Sequence, residues 1–354
     1  MSRGRGPSGR VTIAQVAREA GVDRSTVSRV FSQPERLRAE TVTHVREVAE
    51  RLGYVPNPAA QTLRTGRPTN VALVVPDLTN PFIPPLALSV QKAAEAKGHF
   101  LFIGNADEAP KQEQELVTRF GPQVVGTILA SPRSSDAAIR RMVGKEPLVL
   151  INRDIEGLPR VLINSGLGIT QAVQHLQVLG HRRIAYVGGP ARSWSNEQRR
   201  LAAEAACRAA GAALIEIAAG EASFDSGRRI AGALRDSGAT AVVAFDDVTA
   251  QGLLVGLDEL GVRVPADMSL VGCDDVLGAV THPGLTSITS QAAEAGRVAM
   301  NLLFDLIEQP AVSDVRYVID TQLVVRGTTT APGEARADAA VAGQPPQSDE
   351  FPET

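Results

Sequence analysis

Two arginines and two serines near the N-terminus combine side chains that can recognise a nucleic acid. Arg24, Ser25, Ser28 and Arg29 would lie on one side of a helix. Arg can donate two hydrogen bonds to O6 and N7 of a guanine, and Ser can bond a phosphate or a base edge. The alternative is an ordinary solvated helix face, so the surrounding elements must decide between the two.

A second group of polar and aromatic residues follows the carboxyl ends of strand-like runs further along the chain. Carboxylates and Arg can bond the paired hydroxyl groups of a polyol, and aromatic rings can cover its CH groups. The residues in such positions are Asp77, Asn80, Pro81, Phe82, Asn152, Arg153, Trp194, Asn196, Arg200, Phe224, Asp246 and Asp274. Simpler explanations stay open, because the Phe side chains can belong to a core, the later Asp side chains can cap helices and Arg153 can be a surface charge.

Sequence patterns typical of enzymes and metal sites are absent. The chain lacks GxxxxGKS/T, GxSxG and HExxH, it has no GxGxxG after a strand, and its five His residues are scattered. Cys207 and Cys273 lie far apart without metal-ligand spacing, and we expect both to be buried. The sequence therefore predicts no catalytic residues, no metal and no cofactor.

The composition predicts a soluble globular protein. The 354 residues are 44% hydrophobic and 21% charged, which is enough apolar material for the cores of two or three domains. The longest apolar stretches are strand-sized and far shorter than the ~20 residues that span a bilayer. Because the basic N-terminus is not followed by the apolar core of a secretion signal, we expect a cytoplasmic protein.

Charge is unevenly distributed along the chain. Residues 1–66 contain 11 Arg, no Lys and six acidic residues, which gives this segment a charge of +5. Because the whole chain carries −3, the other 288 residues carry −8. A basic segment on an acidic body is typical of a nucleic-acid-binding arm, although a basic solvated tail would give the same count.

The N-terminal segment is expected to form three helices that carry the first group of residues. Thr12 and Gln15 fit a capping box, and Gly21 ends the first helix in a sharp turn. Asp23 can cap the second helix, and a third helix over 41–52 closes the core. Two short helices joined this tightly predict a helix-turn-helix unit, which favours DNA reading over a solvated face.

These motifs resemble the head of a LacI/GalR-type repressor. The resemblance continues to about residue 330 and is carried by Thr12-Ile13, Val16-Ala17, Ala20-Gly21-Val22, Thr26-Val27-Ser28-Arg29-Val30, Leu52-Gly53-Tyr54-Val55-Pro56-Asn57-Pro58 and Leu63-Arg64-Thr65-Gly66. It implies a sequence-specific DNA-binding regulator, usually a repressor, whose operator affinity is switched by a small ligand. By this resemblance the DNA-binding positions are Thr12, Arg24, Ser25, Thr26, Ser28, Arg29, Tyr54, Asn57, Ala60, Leu63 and Arg64.

The resemblance also assigns a role to the segment between head and body. Within this hinge, residues 59–64 are too few to form a stable helix alone. In the resembled family two such hinges pair on DNA, and the residue that matches Leu63 wedges into the minor groove. A plain linker is the alternative, since a single exposed Leu needs no special explanation.

The body alternates between strand-like and helical segments from residue 71 onward. The apolar runs are Val71–Val75, Phe100–Ile103, Val124–Leu129, Leu148–Ile151, Val161–Ile163, Ile184–Val187, Leu214–Ile217, Ala241–Phe245 and Ser269–Gly272. This alternation predicts an α/β fold of doubly wound parallel sheets with helices on both faces. The length favours two lobes, and the family's likeness to periplasmic sugar-binding proteins implies that the chain crosses between them. A ligand is expected in the cleft beyond the carboxyl ends of the strands.

Five segments follow from these interpretations. They are a disordered basic arm (1–10), a helix-turn-helix domain (11–57), a hinge (58–69), an effector-binding and dimerisation body (70–330) and a disordered acidic tail (331–354). Within the body, lobe 1 is expected to hold about 70–163 plus 291–322, and lobe 2 about 164–290 plus 323–330.

The resemblance further implies partners and ligand contacts. Recurrent ligand contacts of the family match Arg200 and Asp274, and variable ones match Phe82, Ile83, Arg153 and Phe224, whereas Asp246 replaces a frequent Asn. We expect near-palindromic operator DNA, a small effector such as a sugar, related polyol or nucleoside, and a homodimer, since the tail lacks the leucine heptads of a tetramerising coil. The rival interpretations are a periplasmic-type binding protein without DNA function and an enzyme with an unrecognised site.

Overall fold

The computed structural model describes residues 11–54, 68–144, 146–309 and 314–333. Contacts divide the chain into two compact units, Met1–Thr69 and Asn70–Thr354. The predicted basic arm, most of the predicted hinge and most of the predicted acidic tail lie outside the described residues.

In the first unit three helices surround a small apolar core. Helix α1 spans Ile13–Glu19, α2 spans Arg24–Ser32 and α3 spans Ala39–Leu52. The core side chains come from all three helices and are Val16, Ala17, Ala20, Val27, Val30, Val45, Val48 and Ala49. The predicted helix-turn-helix head is confirmed.

The turn between α1 and α2 follows from local sequence signals. Gln15 Oε1 accepts a hydrogen bond of 2.7 Å from the Thr12 amide, as the capping box predicts. Gly21 has a φ of +64°, a left-handed conformation that glycine adopts without steric cost. Asp23 takes the N-cap position of α2, but its side chain makes no capping hydrogen bond. The prediction for Asp23 is therefore right for the backbone position and wrong for the carboxylate.

Strands and helices alternate along the second unit, as the sequence predicts. The strands are β1 (Asn70–Val75), β2 (Phe100–Asn105), β3 (Val124–Ala130), β4 (Leu148–Ile151), β5 (Arg160–Asn164), β6 (Arg183–Gly188), β7 (Ala213–Ala218), β8 (Ala241–Ala244), β9 (Ser269–Asp274), β10 (Thr286–Thr289), β11 (Arg316–Asp320) and β12 (Leu323–Val324). The helices are α4 (Ile83–Ala96), α5 (Pro110–Phe120), α6 (Asp136–Met142), α7 (Ser165–Val178), α8 (Trp194–Ala209), α9 (Phe224–Asp236), α10 (Asp247–Glu259) and α11 (Ala292–Glu308).

The strands form two six-stranded sheets, one in each lobe. The sheet of lobe 1 has the order β11-β5-β4-β3-β1-β2, and all neighbouring strands are parallel. The sheet of lobe 2 has the order β12-β10-β9-β8-β6-β7, and only β10 and β12 are antiparallel. In lobe 1, α4 and α11 cover one face, and α5 and α6 cover the other. The predicted two-lobed fold of parallel sheets is confirmed.

The chain passes between the lobes after β5, after β10 and after β11. Helix α11 packs on the sheet of lobe 1, so the segment that follows β10 returns to the first lobe. Strands β10, β11 and β12 were not among the predicted strands. They have four, five and two residues, and β11 and β12 find their partners only after the chain has crossed between lobes.

The parallel pairing brings the carboxyl ends of neighbouring strands to the same edge of each sheet. Loops that follow β1, β3 and β4 in lobe 1, and β6, β8 and β9 in lobe 2, therefore line the space between the lobes. No helix within the described parts of the chain is both long enough and apolar enough to cross a membrane.

Candidate functional site

The exposed side of α2 carries the residues predicted to read DNA. Arg24, Ser25 and Arg29 are exposed, while Thr26 and Ser28 are half-buried. Within residues 11–54, neither the Arg24 nor the Arg29 guanidinium has a hydrogen bond or an ion pair, so both are available for a partner.

Arg24 occupies a position that does not favour the stability of α2. It is the first residue of the helix, and the first turn contains no acidic side chain. A positive charge there lies beside the partial positive charge of the helix N-terminus, which weakens the helix slightly. The same combination attracts phosphate, because the free amides of a helix N-terminus also bind anions. The charge at this end of α2 therefore suits a DNA backbone better than it suits the helix.

The other residues predicted to bind DNA have different surroundings. Thr12 is exposed, and its hydroxyl donates to Gln15 Oε1 at 3.1 Å. Tyr54 is half-buried, and its ring centroid lies 5.8 Å from that of Phe31, so this tyrosine is part of the packing of the head. The predicted hinge contacts lie outside the described residues and are Asn57, Ala60, Leu63 and Arg64.

A cavity of about 410 Å³ lies between the two lobes. Lobe 1 contributes Pro76, Asp77, Asn80, Phe82, Ile83, Glu108, Ser131, Arg133 and Asn152. Lobe 2 contributes Pro190, Ala191, Arg192, Ser193, Ser195, Arg199, Gly220, Glu221, Ala222, Ser223, Phe245 and Asp274. These residues stand at or beyond the carboxyl ends of the strands, which is where open parallel α/β sheets bind ligands.

A buried ion pair forms the floor of the cavity. Arg199 Nη2 donates to Asp274 Oδ1 at 3.0 Å, and the two side chains are only 8% and 9% exposed. The guanidinium also donates to the Phe245 carbonyl, and its carbon lies 4.9 Å from the centroid of the Phe245 ring. Burial lowers the pKa of Arg199, but nearby Cys273 and Asp274 raise it by more, so Arg199 stays charged.

One donor of this arginine has no partner. Nε of Arg199 is buried and makes no hydrogen bond with any described residue. An unsatisfied buried donor costs about 1–3 kcal/mol. Arg199 and Asp274 both line the cavity, so a guanidinium and a carboxylate lie side by side in its wall, which is the combination that a ligand hydroxyl can use in both directions.

Three residues with left-handed backbone conformations turn the chain at the cavity wall. Ser131, Asn152 and Asp274 have φ values of +45°, +53° and +101°. Such conformations are uncommon for residues other than glycine, and they persist where tertiary contacts hold them. Asn152 shows one such contact, because its Oδ1 accepts a hydrogen bond of 3.1 Å from the Ile163 amide.

The structure places Arg200, a predicted ligand contact, outside the cavity. Its guanidinium pairs with Glu197 at 2.9 Å and with Glu216 at 3.2 Å. Arg199 lines the cavity instead, because α8 buries the side that contains Ser195, Arg199 and Ala203. The next residue along a helix points about 100° away, so a shift of one position moves the side chain to the outer surface.

Four of the other predicted effector residues line the cavity, and the rest lie elsewhere. Those that line the cavity are Phe82, Ile83, Asn152 and Asp274. Arg153 and Trp194 line a neighbouring groove, and Phe224 is 39% exposed and does not line the cavity. Asn196 has a structural task, because its Oδ1 accepts hydrogen bonds from the Tyr186 hydroxyl at 3.0 Å and from the Gly189 amide at 2.9 Å.

Asp246 lies beneath the cavity and connects the two lobes. Its Oδ1 accepts from the Thr249 amide at 2.8 Å, and its Oδ2 accepts from Asn80 Nδ2 at 3.1 Å. The Asn80 amide group is oriented by Phe82, whose backbone N–H donates to Asn80 Oδ1 at 2.9 Å. Asn at position 246 would set an NH₂ group against one of these two donors. A carboxylate therefore fits this position better than the Asn that is frequent in the family.

Sequence reasoning missed several residues that line the cavity: Ser131, Arg133, Ser195, Arg199 and Phe245. Helical spacing held a usable signal for two of them, because the buried positions Ala203 and Cys207, traced back in steps of four, lead to Arg199 and Ser195. Phe245 is the last residue of the predicted run Ala241–Phe245, so the strand-end rule that selected Asp246 also marks it. Its ring packs so closely on Gly189 that a Cβ there would lie 2.5 Å from ring atoms.

Comparisons with known proteins match both units of the chain. The model of bacterial regulatory proteins of the lacI family matches residues 12–57, and a periplasmic binding protein-like domain matches residues 173–329. The HTH-type transcriptional repressor CytR of Escherichia coli strain K12 is 30% identical over 330 residues, which cover 90% of this chain and 96% of CytR. The chain belongs to the LacI family.

Solved structures of the family agree with the fold of this LacI-family chain. The lac repressor dimer bound to operator and the anti-inducer ONPF aligns with a TM-score of 0.82 and 25% identity, covering 91% of this chain and 100% of that one. The complex of the transcriptional regulator CelR with cellobiose aligns with a TM-score of 0.67 and 30% identity, covering 90% and 100%. The protein is a DNA-binding transcriptional regulator with a ligand-binding domain, and its family consists of regulators rather than enzymes.

The buried carboxyl group of Asp247 should make the free energy of unfolding of this regulator depend on pH. Asp247 is 2% exposed, and burial raises the pKa of its carboxyl to about 7, with the charge of Asp274 adding to the shift. Its oxygens accept from the Ser287 hydroxyl at 2.5 Å and from the Leu277 amide at 3.0 Å. Because the pKa is higher in the folded state, the folded protein holds this proton more tightly than the unfolded chain does.

Protonated Asp247 makes its full contribution to the free energy of unfolding below about pH 3.9, the pKa of an Asp in the unfolded chain. This contribution is lost as the pH rises towards about 7, the pKa of Asp247 in the folded protein. In that range Asp247 should lower the free energy of unfolding by up to about 1.4 kcal/mol per pH unit. Asp247→Asn keeps an acceptor for Leu277 and a partner for Ser287, so it should gain stability relative to wild type between pH 5 and pH 8. Urea unfolding of both proteins at the two pH values measures this gain. An equal difference at both values would contradict the prediction.

Proposed function

We propose that this LacI-family regulator is a repressor that binds near-palindromic operator DNA as a homodimer and responds to a small ligand in the interlobe cavity, namely a sugar or a related polyol or nucleoside. The observation that carries the ligand site is the buried pair of Arg199 and Asp274 in the wall of the cavity. The observation that supports DNA reading is the pair of unpartnered, exposed guanidiniums of Arg24 and Arg29 within the described part of the head.

The lining of the cavity suits an uncharged part of a ligand that carries several hydroxyl groups. The two innermost arginines are already neutralised, since Arg199 pairs with Asp274 and Arg133 donates to Glu108 at 2.8 Å. Phe82 and Phe245 add apolar surface that can cover the CH groups of a sugar or a base. A relative, CelR, is known as a complex with cellobiose, which is a ligand of this kind.

The contact between lobes supports a mechanism for the response. Asn80 and Asp246 join lobe 1 to lobe 2 directly, and the wall that surrounds them comes from both lobes. A ligand that bonds to both walls stabilises one arrangement of the lobes over others, because it shifts populations only through unequal affinity for them. DNA affinity and ligand affinity are then coupled reciprocally, so operator-bound and free protein should differ in ligand affinity by one common factor.

A panel of sugars, nucleosides and purines tests this proposal. A ligand at one hundred times its Kd adds about 2.7 kcal/mol to stability, so thermal unfolding detects binding directly. Each compound that raises the unfolding temperature is then titrated into a complex of the protein with fluorescent operator DNA. We expect at least one of them to change operator affinity. A panel in which compounds bind but none alters operator affinity would contradict the allosteric role.

Exposed apolar side chains on the body support the homodimer. In lobe 1, Leu88, Phe100 and Ile103 are 51%, 57% and 41% exposed, and β2, which holds the last two, is an edge strand. In lobe 2, Val255 is 40% and Val280 is 80% exposed, and the loop of Val280 is tied to α10 by a hydrogen bond between Gln251 and Thr281. Large exposed apolar patches mark interaction surfaces, and a relative, the lac repressor, was solved as a dimer bound to operator.

A charge placed on this surface should separate the two copies. Phe100→Glu and Val280→Asp each put a carboxylate where we expect an apolar contact, so both variants should sediment as monomers at concentrations where wild type is dimeric. Their operator affinity should fall as well, because one head covers too few base pairs for tight specific binding. Val178→Asp, at an 85% exposed position on α7, is the matched control and should stay dimeric. Dimers in all three variants would rule out this surface.

A further inference from the structure

A groove of about 750 Å³ adjoins the interlobe cavity. The cavity and the groove share four wall residues, Arg133, Ala191, Arg192 and Ser193. The groove continues outward between α6 of lobe 1 and the start of α8 in lobe 2, and Trp194 and Arg153 lie there rather than in the cavity. A ligand larger than the cavity would therefore extend past the shared residues into this groove.

The charges of the groove do not balance. Each acidic side chain in its wall pairs with an arginine: Asp136 with Arg153, Asp154 with Arg160 and Arg316, and Glu197 with Arg200. Arg133 is likewise paired, with Glu108. Arg141 and Arg192 also line the groove, and neither has a hydrogen bond or ion pair with any residue that the structure describes. The groove is thus left with two exposed guanidiniums that lack a counter-charge.

Packed elements of both lobes form the walls of the groove. Glu113 is 2% exposed and accepts from the amides of Arg133 and Ser134 at 2.8 and 3.2 Å, which fixes the loop at the base of the groove. On the opposite wall, α8 begins at Trp194, so its free N-terminal amides add partial positive charge. The Trp194 ring supplies an aromatic face beside them.

The cavity and the groove differ in the charge that they accept. In the cavity the guanidiniums of Arg199 and Arg133 are paired, and Asp77 and Glu221 are carboxylates without an arginine partner among the described residues. An anionic group would be repelled by these carboxylates and attracted by Arg141 in the groove and by Arg192 at its boundary with the cavity. A single ligand that satisfies both parts has a neutral, hydroxyl-rich half and an anionic half.

We propose that the groove is an anion subsite and that the effector is a phosphorylated or carboxylated sugar or nucleoside whose anionic group is bound by Arg141 and Arg192. This inference rests on the proposed function, because it assumes that the neutral half occupies the interlobe cavity. Arg is well suited to the task, since its planar guanidinium donates two parallel hydrogen bonds to a phosphate or a carboxylate.

Trp194 gives a direct readout, because it is the only tryptophan in the chain and lies in the groove. We would titrate its fluorescence with glucose, ribose, cytidine and adenosine, with the phosphate monoester of each, with glucuronate and with inorganic phosphate. At least one charged compound should bind about tenfold or more tightly than its neutral parent and shift the Trp194 emission, because charge-assisted hydrogen bonds exceed neutral ones by this order. The phosphate and glucuronate arms distinguish the two kinds of anion.

Arg141 lines the groove but not the cavity, so Arg141→Gln should reduce that advantage about threefold while the neutral parent binds as in wild type. Arg182→Gln changes the net charge equally at an exposed position that lines neither the cavity nor the groove, and it should keep the advantage. Neutral parents that bind as tightly as all their charged counterparts, or an advantage that is unchanged in Arg141→Gln, would overturn the anion subsite. If neither neutral nor charged compounds change the fluorescence or the unfolding temperature, the proposed function falls together with it.

Discussion

Replacing Arg199 by Met or Asp274 by Asn should each destabilise the body by about 3–5 kcal/mol and abolish the response to effector. The two side chains are almost fully buried and hold each other at 3.0 Å, so each single change leaves the other charge without its partner. Asn is a suitable replacement at position 274, because it tolerates the positive φ of +101° found there. Chemical denaturation measures the loss of stability, and titration of operator-bound protein with effector measures the loss of response.

The double variant Arg199→Met/Asp274→Asn separates the loss of stability from the loss of the response to effector. It removes both charges at once, so most of the lost stability should return. The response to effector should stay absent, because the ligand has lost both its donor and its carboxylate. Operator affinity without ligand should remain near wild type, since the residues predicted to bind DNA belong to the other compact unit. A double variant with the wild-type effector midpoint would remove this pair from the ligand site.

Arg24→Ala and Arg29→Ala should each cost about 1–3 kcal/mol of binding free energy on the operator and much less on random DNA. Both side chains are exposed on α2 and lack protein partners within residues 11–54, so the losses would come from contacts with bases. Fluorescence anisotropy with operator and scrambled duplexes at one salt concentration measures the difference, because electrostatic binding depends strongly on salt.

Arg46→Ala provides the matched control on the same unit. Arg46 is exposed on α3, so its removal changes the net charge equally and should weaken binding to both duplexes alike. Arg24→Ala should leave the unfolding temperature of the head unchanged or slightly higher, because the arginine at the start of α2 opposes the helix dipole. Equal losses on operator and scrambled DNA for all three variants would reduce Arg24 and Arg29 to phosphate contacts. The wedge role of Leu63 stays a prediction, since that residue lies outside the described part of the chain.

The head is the part of the protein in which sequence and structure agree most closely. Its turn depends on neighbours in sequence: the bond between Thr12 and Gln15 spans three residues, and the left-handed conformation at Gly21 is a property of that residue alone. The apolar positions of α1 to α3 recur with helical spacing and form the core that the spacing predicts. Asp23 differs only in that its carboxylate makes no cap.

The apolar runs of the sequence predicted β1 to β9 of the body but not β10, β11 and β12. Every predicted apolar run became a strand, because buried parallel strands such as β1 and β3 are apolar on both faces and stand out as continuous runs. Strand β10 is buried but has a single apolar residue, Ile288, β11 is largely exposed and β12 has only two residues, so none of them gives such a run. The partners of β11 and β12 lie across a lobe crossing that no local pattern records.

The sequence by itself determined the family, the first nine strands of the body and their alternation with helices, and the edge of each sheet at which a ligand is expected, because these depend on local motifs and on periodicity. Only the tertiary structure decided which side chains meet there. It put Arg199 rather than Arg200 beside Asp274, since one step along α8 turns a side chain from the cavity to the surface. It also joined Asn80 to Asp246, two residues 166 positions apart, because contacts between lobes depend on how the two sheets pack and not on any spacing within the chain.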